Sequence, residues 1–123
     1  MKKFRFIEWK VYKDSQDLFK LILRIVKDLP REYRFELGSQ LNRAALSVIL
    51  NIAEGSGKTS DKELMRFLDI SLGSAYEVLA SVDVLRNNGL MDAEEFDLVY
   101  NKVSDISDQL GGFKQKIKKE NGL

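Results

Sequence analysis

The sequence predicts an all-α fold, an antiparallel up-down-up-down four-helix bundle. Three observations predict it. Four stretches place apolar residues at alternating spacings of three and four, the period of one helix face. Capping and turn signals separate these stretches at short intervals. No stretch beyond the first few residues alternates as a half-buried strand does. A chain of 123 residues fits a single domain, residues 1–123, with a lead-in over 1–8 and a frayed tail over 120–123.

In the lead-in, Phe4, Phe6 and Ile7 are apolar and suit an arm packing back on the bundle. Their alternation also allows a short edge strand, although one strand makes no sheet. The first helix is predicted over 9–28, with Val11, Ser15, Leu18, Ile22, Ile25 and Leu29 on one stripe, widened by Tyr12, Phe19 and Val26. Pro30, the only proline, ends it. The following turn is short and charged, with Tyr33 and Phe35 placed to anchor it to the bundle end.

The second helix, over about 37–54, organises the chain. Gln40, Arg43, Ser47, Asn51 and Glu54 form one narrow polar stripe, while Leu41, Ala44, Ala45, Leu46, Val48, Ile49, Leu50, Ile52 and Ala53 cover the rest. A surface helix has a wider polar side, so this one is expected to be buried around most of its circumference, within the bundle or between subunits. Gly55, Ser56 and Gly57 are expected to break it, glycine supplying left-handed geometry past the helix end. Gly-Ser-Gly-Lys lacks the spacing of a nucleotide-binding phosphate loop and follows no strand.

Ser60 with Glu63 reads as a capping box opening the third helix. Its stripe is Leu64, Phe67, Leu68, Leu72, Ala75, Leu79, Val82 and Leu85. The small run Ser71, Gly73, Ser74 and Ala75 lowers helix propensity and lets another helix come close. Asn87, Asn88 and Gly89 end the element. Asp92 with Glu95 opens the fourth helix, which runs to about 118 on Phe96, Val99, Val103, Ile106, Leu110, Phe113 and Ile117. That strict alternation is coiled-coil-like and implies a left-handed crossing near +20°. Gly111-Gly112 is expected to weaken or bend the last turns.

Composition narrows the chemistry. There is no cysteine and no histidine, so disulfides, thiolate metal sites, the commonest neutral-pH base and the commonest metal ligand are all absent. Glu54, Glu63 and Glu77 lack the Glu-x-x-His partners of a di-metal carboxylate bundle. No metal site, cofactor or catalytic residue is assigned, and an enzyme is not expected. Net charge is +1, yet the first 34 residues carry ten basic and five acidic side chains, a balance that suits an anionic partner. No apolar run reaches the roughly 20 residues of a membrane span, and the N-terminus lacks a secretory apolar core. A soluble, cytoplasmic protein with no membrane partner is the expectation.

Several motifs resemble one family. Glu8-Trp9-Lys10-Val11 opens the first helix, Leu37-Gly38-Ser39-Gln40-Leu41 precedes Arg43-Ala44-Ala45-Leu46-Ser47-Val48, and Asn51-Ile52-Ala53-Glu54-Gly55 follows. Glu63, Arg66-Phe67-Leu68, Ile70, Gly73-Ser74, Glu77 and Gly89-Leu90 continue the pattern. Over essentially its whole length the chain resembles the bacterial four-helix-bundle proteins encoded in intervening sequences of 23S ribosomal RNA genes. The resemblance implies a four-helix protomer and a ring-like homopentamer. It also extends to the accessory subunit of diversity-generating retroelements, which works beside a reverse transcriptase and binds nucleic acid. Those accessory proteins are strongly basic, and this chain is not.

Two residue sets follow. Gln40, Arg43, Ser47, Asn51 and Glu54, with Glu63 and Glu77 placed to accept hydrogen bonds from Arg43, read as a structural polar network that fixes helix register at an interface; the alternative is a site for a small ligand or nucleic acid. Lys2, Lys3, Arg5, Lys10, Lys13, Arg31, Arg34, Lys58 and Lys62 are the candidate nucleic-acid contacts, interleaved at the N-terminus with aromatic rings. The functional expectation is a non-enzymatic self-associating protein of structural or scaffold role. The alternative is a nucleic-acid-binding accessory protein acting with a reverse transcriptase or ribosomal RNA.

Overall fold

Each apolar stripe folds into a helix, and the four stripes meet in one core. The computed structural model describes residues 3–122. Four long helices dominate: α1, Lys10–Lys27; α2, Ser39–Ser56; α3, Asp61–Asn87; and α4, Ala93–Glu120. A 3-10 turn, Arg5–Glu8, precedes α1, and the described residues contain no strand. Each helix packs on its neighbours in the order α1–α2–α3–α4 and back to α1, with no close backbone approach across either diagonal. Contacting pairs run in opposite directions along every seam: Val26 lies by Gly38 and Arg5 by Ser56, Ser47 by Ser74 and Gly55 by Phe67, Asp69 by Lys114 and Asp61 by Asn121, Trp9 by Phe113 and Asp17 by Lys102. The fold is therefore the expected four-helix bundle.

The α1 stripe Val11, Ser15, Leu18, Ile22, Ile25 and Leu29 is buried throughout. Ser15 is tolerated there because its hydroxyl donates to the Val11 carbonyl at 2.7 Å, leaving no polar atom unpaired. The α4 stripe is buried from Phe96 to Leu110 and again at Ile117. Gly111-Gly112 does not interrupt it, and the helix continues to Glu120. Both predicted caps form by one arm of the box: Ser60 Oγ accepts from the Glu63 N–H at 3.2 Å, and Asp92 Oδ1 from the Glu95 N–H at 2.8 Å. Asn121, in the segment expected to fray, donates to Asp61 Oδ2 at 3.0 Å; Leu123 lies outside the described residues.

Other expectations fail for local reasons. The lead-in forms no strand; it coils as a 3-10 turn held by Arg5, whose Nη2 donates to the Ser56 carbonyl at 3.2 Å. The turn after Pro30 is helical, Arg31–Tyr33 followed by a π-helical stretch Arg34–Gly38 that runs straight into α2. Phe35 does not anchor it, being 84% exposed. Gly55 does not break α2, and Gly57 keeps a right-handed backbone at φ −91°. Gly55 instead lets α3 approach: a Cβ there would lie 2.7 Å from Phe67 Cβ and 3.2 Å from Leu64 Cδ1.

The α1–α4 seam carries a partly buried carboxylate. Asp14 accepts from Lys10 Nζ at 2.6 Å and from Gln109 Nε2 at 2.7 Å. Desolvation pushes the Asp14 carboxyl up, but the hydrogen bonds from Lys10 and Gln109 and the charges of Lys10 and Lys102 outweigh it and hold it below the ordinary carboxylate value. A lowered folded-state pKa stabilises the fold above the unfolded value of about 4, and that contribution disappears as pH falls through the folded value.

Two outcomes are expected in urea titrations. Gly55→Ala destabilises the bundle by about 1–3 kcal/mol, because Phe67 Cβ sits on a helix backbone and cannot swing aside; unchanged stability rules out close α2–α3 contact at this point. Asp14→Ala costs about 1–2 kcal/mol at neutral pH, and the gap from the parent protein narrows below about pH 4. A gap that is constant with pH contradicts the role given to the carboxylate.

Candidate functional site

The α2–α3 junction brings hydroxyls and one amide together. Ser47 Oγ and Ser74 Oγ lie 2.7 Å apart, and Asn51 Nδ2 donates to the Ser47 carbonyl at 2.8 Å and to Ser47 Oγ at 3.0 Å. One turn deeper, Ser71 Oγ donates to the Val48 carbonyl at 2.8 Å and is fully buried. Ser71 and Ser74 stand outside the set drawn from sequence. The signal for them is the small-residue run itself, where a hydroxyl facing a close helix can reach its backbone.

The charged members of the predicted set do not join this junction within the protomer. Glu54 lies 3.9 Å from Lys58, and Glu63 accepts from Arg66 at 2.9 Å. Arg43 reaches only Ser39 Oγ, at 3.5 Å. Among the described residues Arg43 and Glu77 have no ion pair. Gln40 lines a hollow of about 140 Å³ with Leu37, Ser81 and Val84.

The outer side of α2 departs from expectation more sharply. Leu41, Ala44, Ala45, Val48, Ile49 and Ile52 are buried, but Leu46 is 39% and Leu50 53% exposed. Four helices in a ring cover mainly the inward sector of each, so both leucines keep a large exposed surface in one protomer. Leu46 also lines a groove of about 690 Å³ between α1 and α2, with Phe19, Leu23 and Phe35 as its apolar wall and Arg31, Arg34 and Arg43 at its edge. Asn42 Oδ1 is buried in it and accepts no hydrogen bond among the described residues.

The candidate nucleic-acid contacts fall at opposite ends of the bundle. Arg31 and Arg34 lie in the α1–α2 turn, Lys58 and Lys62 at the α2–α3 turn, and α2 between them spans about 27 Å. Arg5 joins the second group through Ser56, and Lys2 lies outside the described residues. Local partners occupy many of these cations. Lys10 pairs with Asp14 and Asp105, Lys13 with Glu8, and Lys58 with Glu54. Arg34 donates to the Leu29 carbonyl at 3.1 Å, and Lys3 stands over the Phe4 ring. Hydrogen bonds and charges from Asp14 and Asp105 hold the Lys10 ammonium above its usual pKa.

No three acidic, histidine or cysteine side chains gather as a metal site among the described residues. The buried hydroxyls of Ser15 and Ser71 donate to helix carbonyls rather than to a base. No described helix is long and apolar enough to cross a membrane.

No curated protein matches the chain. Among solved structures, it is similar to a protein of unknown function from the S23 ribosomal protein family of Bacteroides thetaiotaomicron VPI-5482. The TM-score is 0.79 at 22% identity, over 85% of this chain and 97% of that one. At that identity the likeness speaks for the fold alone. The pattern of one family, the 23S rRNA-intervening sequence proteins, matches residues 8–112. From the Glu8 that precedes α1 to the paired glycines of α4, the chain is a member of the 23S rRNA-intervening sequence protein family.

Proposed function

We propose that this protein is a non-enzymatic, self-associating structural or scaffold unit, a homopentamer as the family resemblance implies. The observation that carries the reading is the exposed apolar outer side of α2. Leu46 and Leu50 stand one turn apart on it, and Leu23 and Phe35 continue the apolar surface across the groove to α1. A grouped patch of this kind on a small protein marks an association surface more often than a free one. The polar stripe beside it, from Gln40 to Glu54, then fixes how copies align rather than performing chemistry. The alternative role beside a reverse transcriptase or ribosomal RNA has less behind it: Lys10, Lys13 and Lys58 of its candidate cations are ion-paired, and Arg31 and Arg34 lie at the far end of the bundle from Lys58 and Lys62.

Light scattering coupled to size exclusion tests this. At micromolar concentration the expected mass is five protomers of 14.1 kDa, and Leu50→Glu reduces it to one with helical circular dichroism retained. A monomeric parent protein rejects the reading. Adding RNA at low salt is expected to leave the mass unchanged, whereas a shift that salt reverses would favour the nucleic-acid role.

A further inference from the structure

The small run on α3 has two destinations. Ser71, Ser74 and Ala75 turn toward α2: Ser71 bonds the Val48 carbonyl, Ser74 bonds Ser47, and Ala75 is fully buried. Gly73 turns the other way. It is exposed, and a Cβ built on it meets nothing within 4 Å. A glycine in mid-helix weakens the helix, and here no contact inside the protomer requires one. Its neighbours on the same outward side are Ile70, 40% exposed, and Glu77.

The outward side of α2 is its complement. Arg43, Leu46 and Leu50 follow one another at intervals of three and four, and Glu77, Gly73 and Ile70, read down α3, at four and three. Two such ridges laid antiparallel match a cation to a carboxylate, a leucine to a gap and a leucine to an isoleucine. Lys58 and Arg66 pair with Glu54 and Glu63 locally, whereas Arg43 and Glu77 have no ion pair among the described residues and are opposite in sign.

Resting on the self-association reading above, we propose that α2 of one copy packs antiparallel on α3 of the next, with Arg43 against Glu77, Leu46 over Gly73 and Leu50 against Ile70. Within a protomer α2 and α3 are themselves antiparallel, so this contact keeps every bundle pointing the same way. Copies are then related by rotation about an axis along the bundle, the arrangement a cyclic assembly requires.

Four variants test the register by light scattering, with circular dichroism to follow the protomer. Arg43→Glu and Glu77→Arg are each expected to weaken association by at least about tenfold, since like charges then face each other. The double variant Arg43→Glu with Glu77→Arg is expected to recover the parent mass. Gly73→Leu, whose Cβ meets nothing within 4 Å in the protomer, is expected to keep its helicity and lose the assembly. If the parent protein assembles and these single variants assemble equally well, or if the double exchange fails to recover the mass, this register is wrong while self-association stands. A monomeric parent protein overturns both.

Discussion

The close approach of α2 and α3 is the constraint on which the remaining structure depends. Gly55 admits Phe67 and Leu64 to contact distance. Two turns away, Ser71 reaches the Val48 carbonyl, and Ser47 and Ser74 meet hydroxyl to hydroxyl. Residues of ordinary size at these places would hold the two backbones apart. Bringing them together has a second effect, because it narrows the inward sector of α2. The helix needs only Leu41, Ala44, Ala45, Val48, Ile49 and Ile52 to fill that sector, and half of its remaining circumference faces outward with leucines on it.

Electrostatics in this bundle are mainly local or between adjacent helices. Asp14 gathers Lys10 and Gln109, Asp17 faces Lys102, and Asp69 faces Lys114. Exposed pairs of this kind contribute little individually, yet they decide how the surface looks to a partner. Within the first 34 residues Lys10 and Lys13 pair with Asp14, Asp105 and Glu8, while Lys20, Arg24 and Lys27 stand exposed along α1.

The inward face of every helix was legible in the sequence because period and burial are the same physical fact. Stripes such as Val11 to Leu29 and Phe96 to Leu110 can only be buried together. Glycine was harder to read. Gly55 ends the family's signature and looks like a stop, but the same absent Cβ serves close packing, and only the position of Phe67 separates the two. Gly111-Gly112 likewise passes through an unbroken helix, because Leu110 and Ile117 hold the flanking turns in the core. The polar set was legible where the partner is close at hand, as for Ser47 and Asn51. It was not legible for Glu54 and Glu63, whose neighbours Lys58 and Arg66, four and three residues away, compete successfully with a more distant Arg43.

The α2 stripe therefore makes more sense as a property of an assembly than of a protomer. A bundle helix standing alone needs one apolar sector and is most soluble with polar residues everywhere else. On α2, Leu46 and Leu50 interrupt the outward polar side, and across the junction Gly73 gives up helix propensity for a gap that nothing in the protomer fills. Each is unfavourable in isolation, and on separate helices they share a spacing that makes them complementary. In the contact proposed above, a neighbouring copy would remove both penalties at once by covering the leucines and filling the gap. It would also give Arg43 and Glu77 the ionic partners that are missing among the described residues of their own chain.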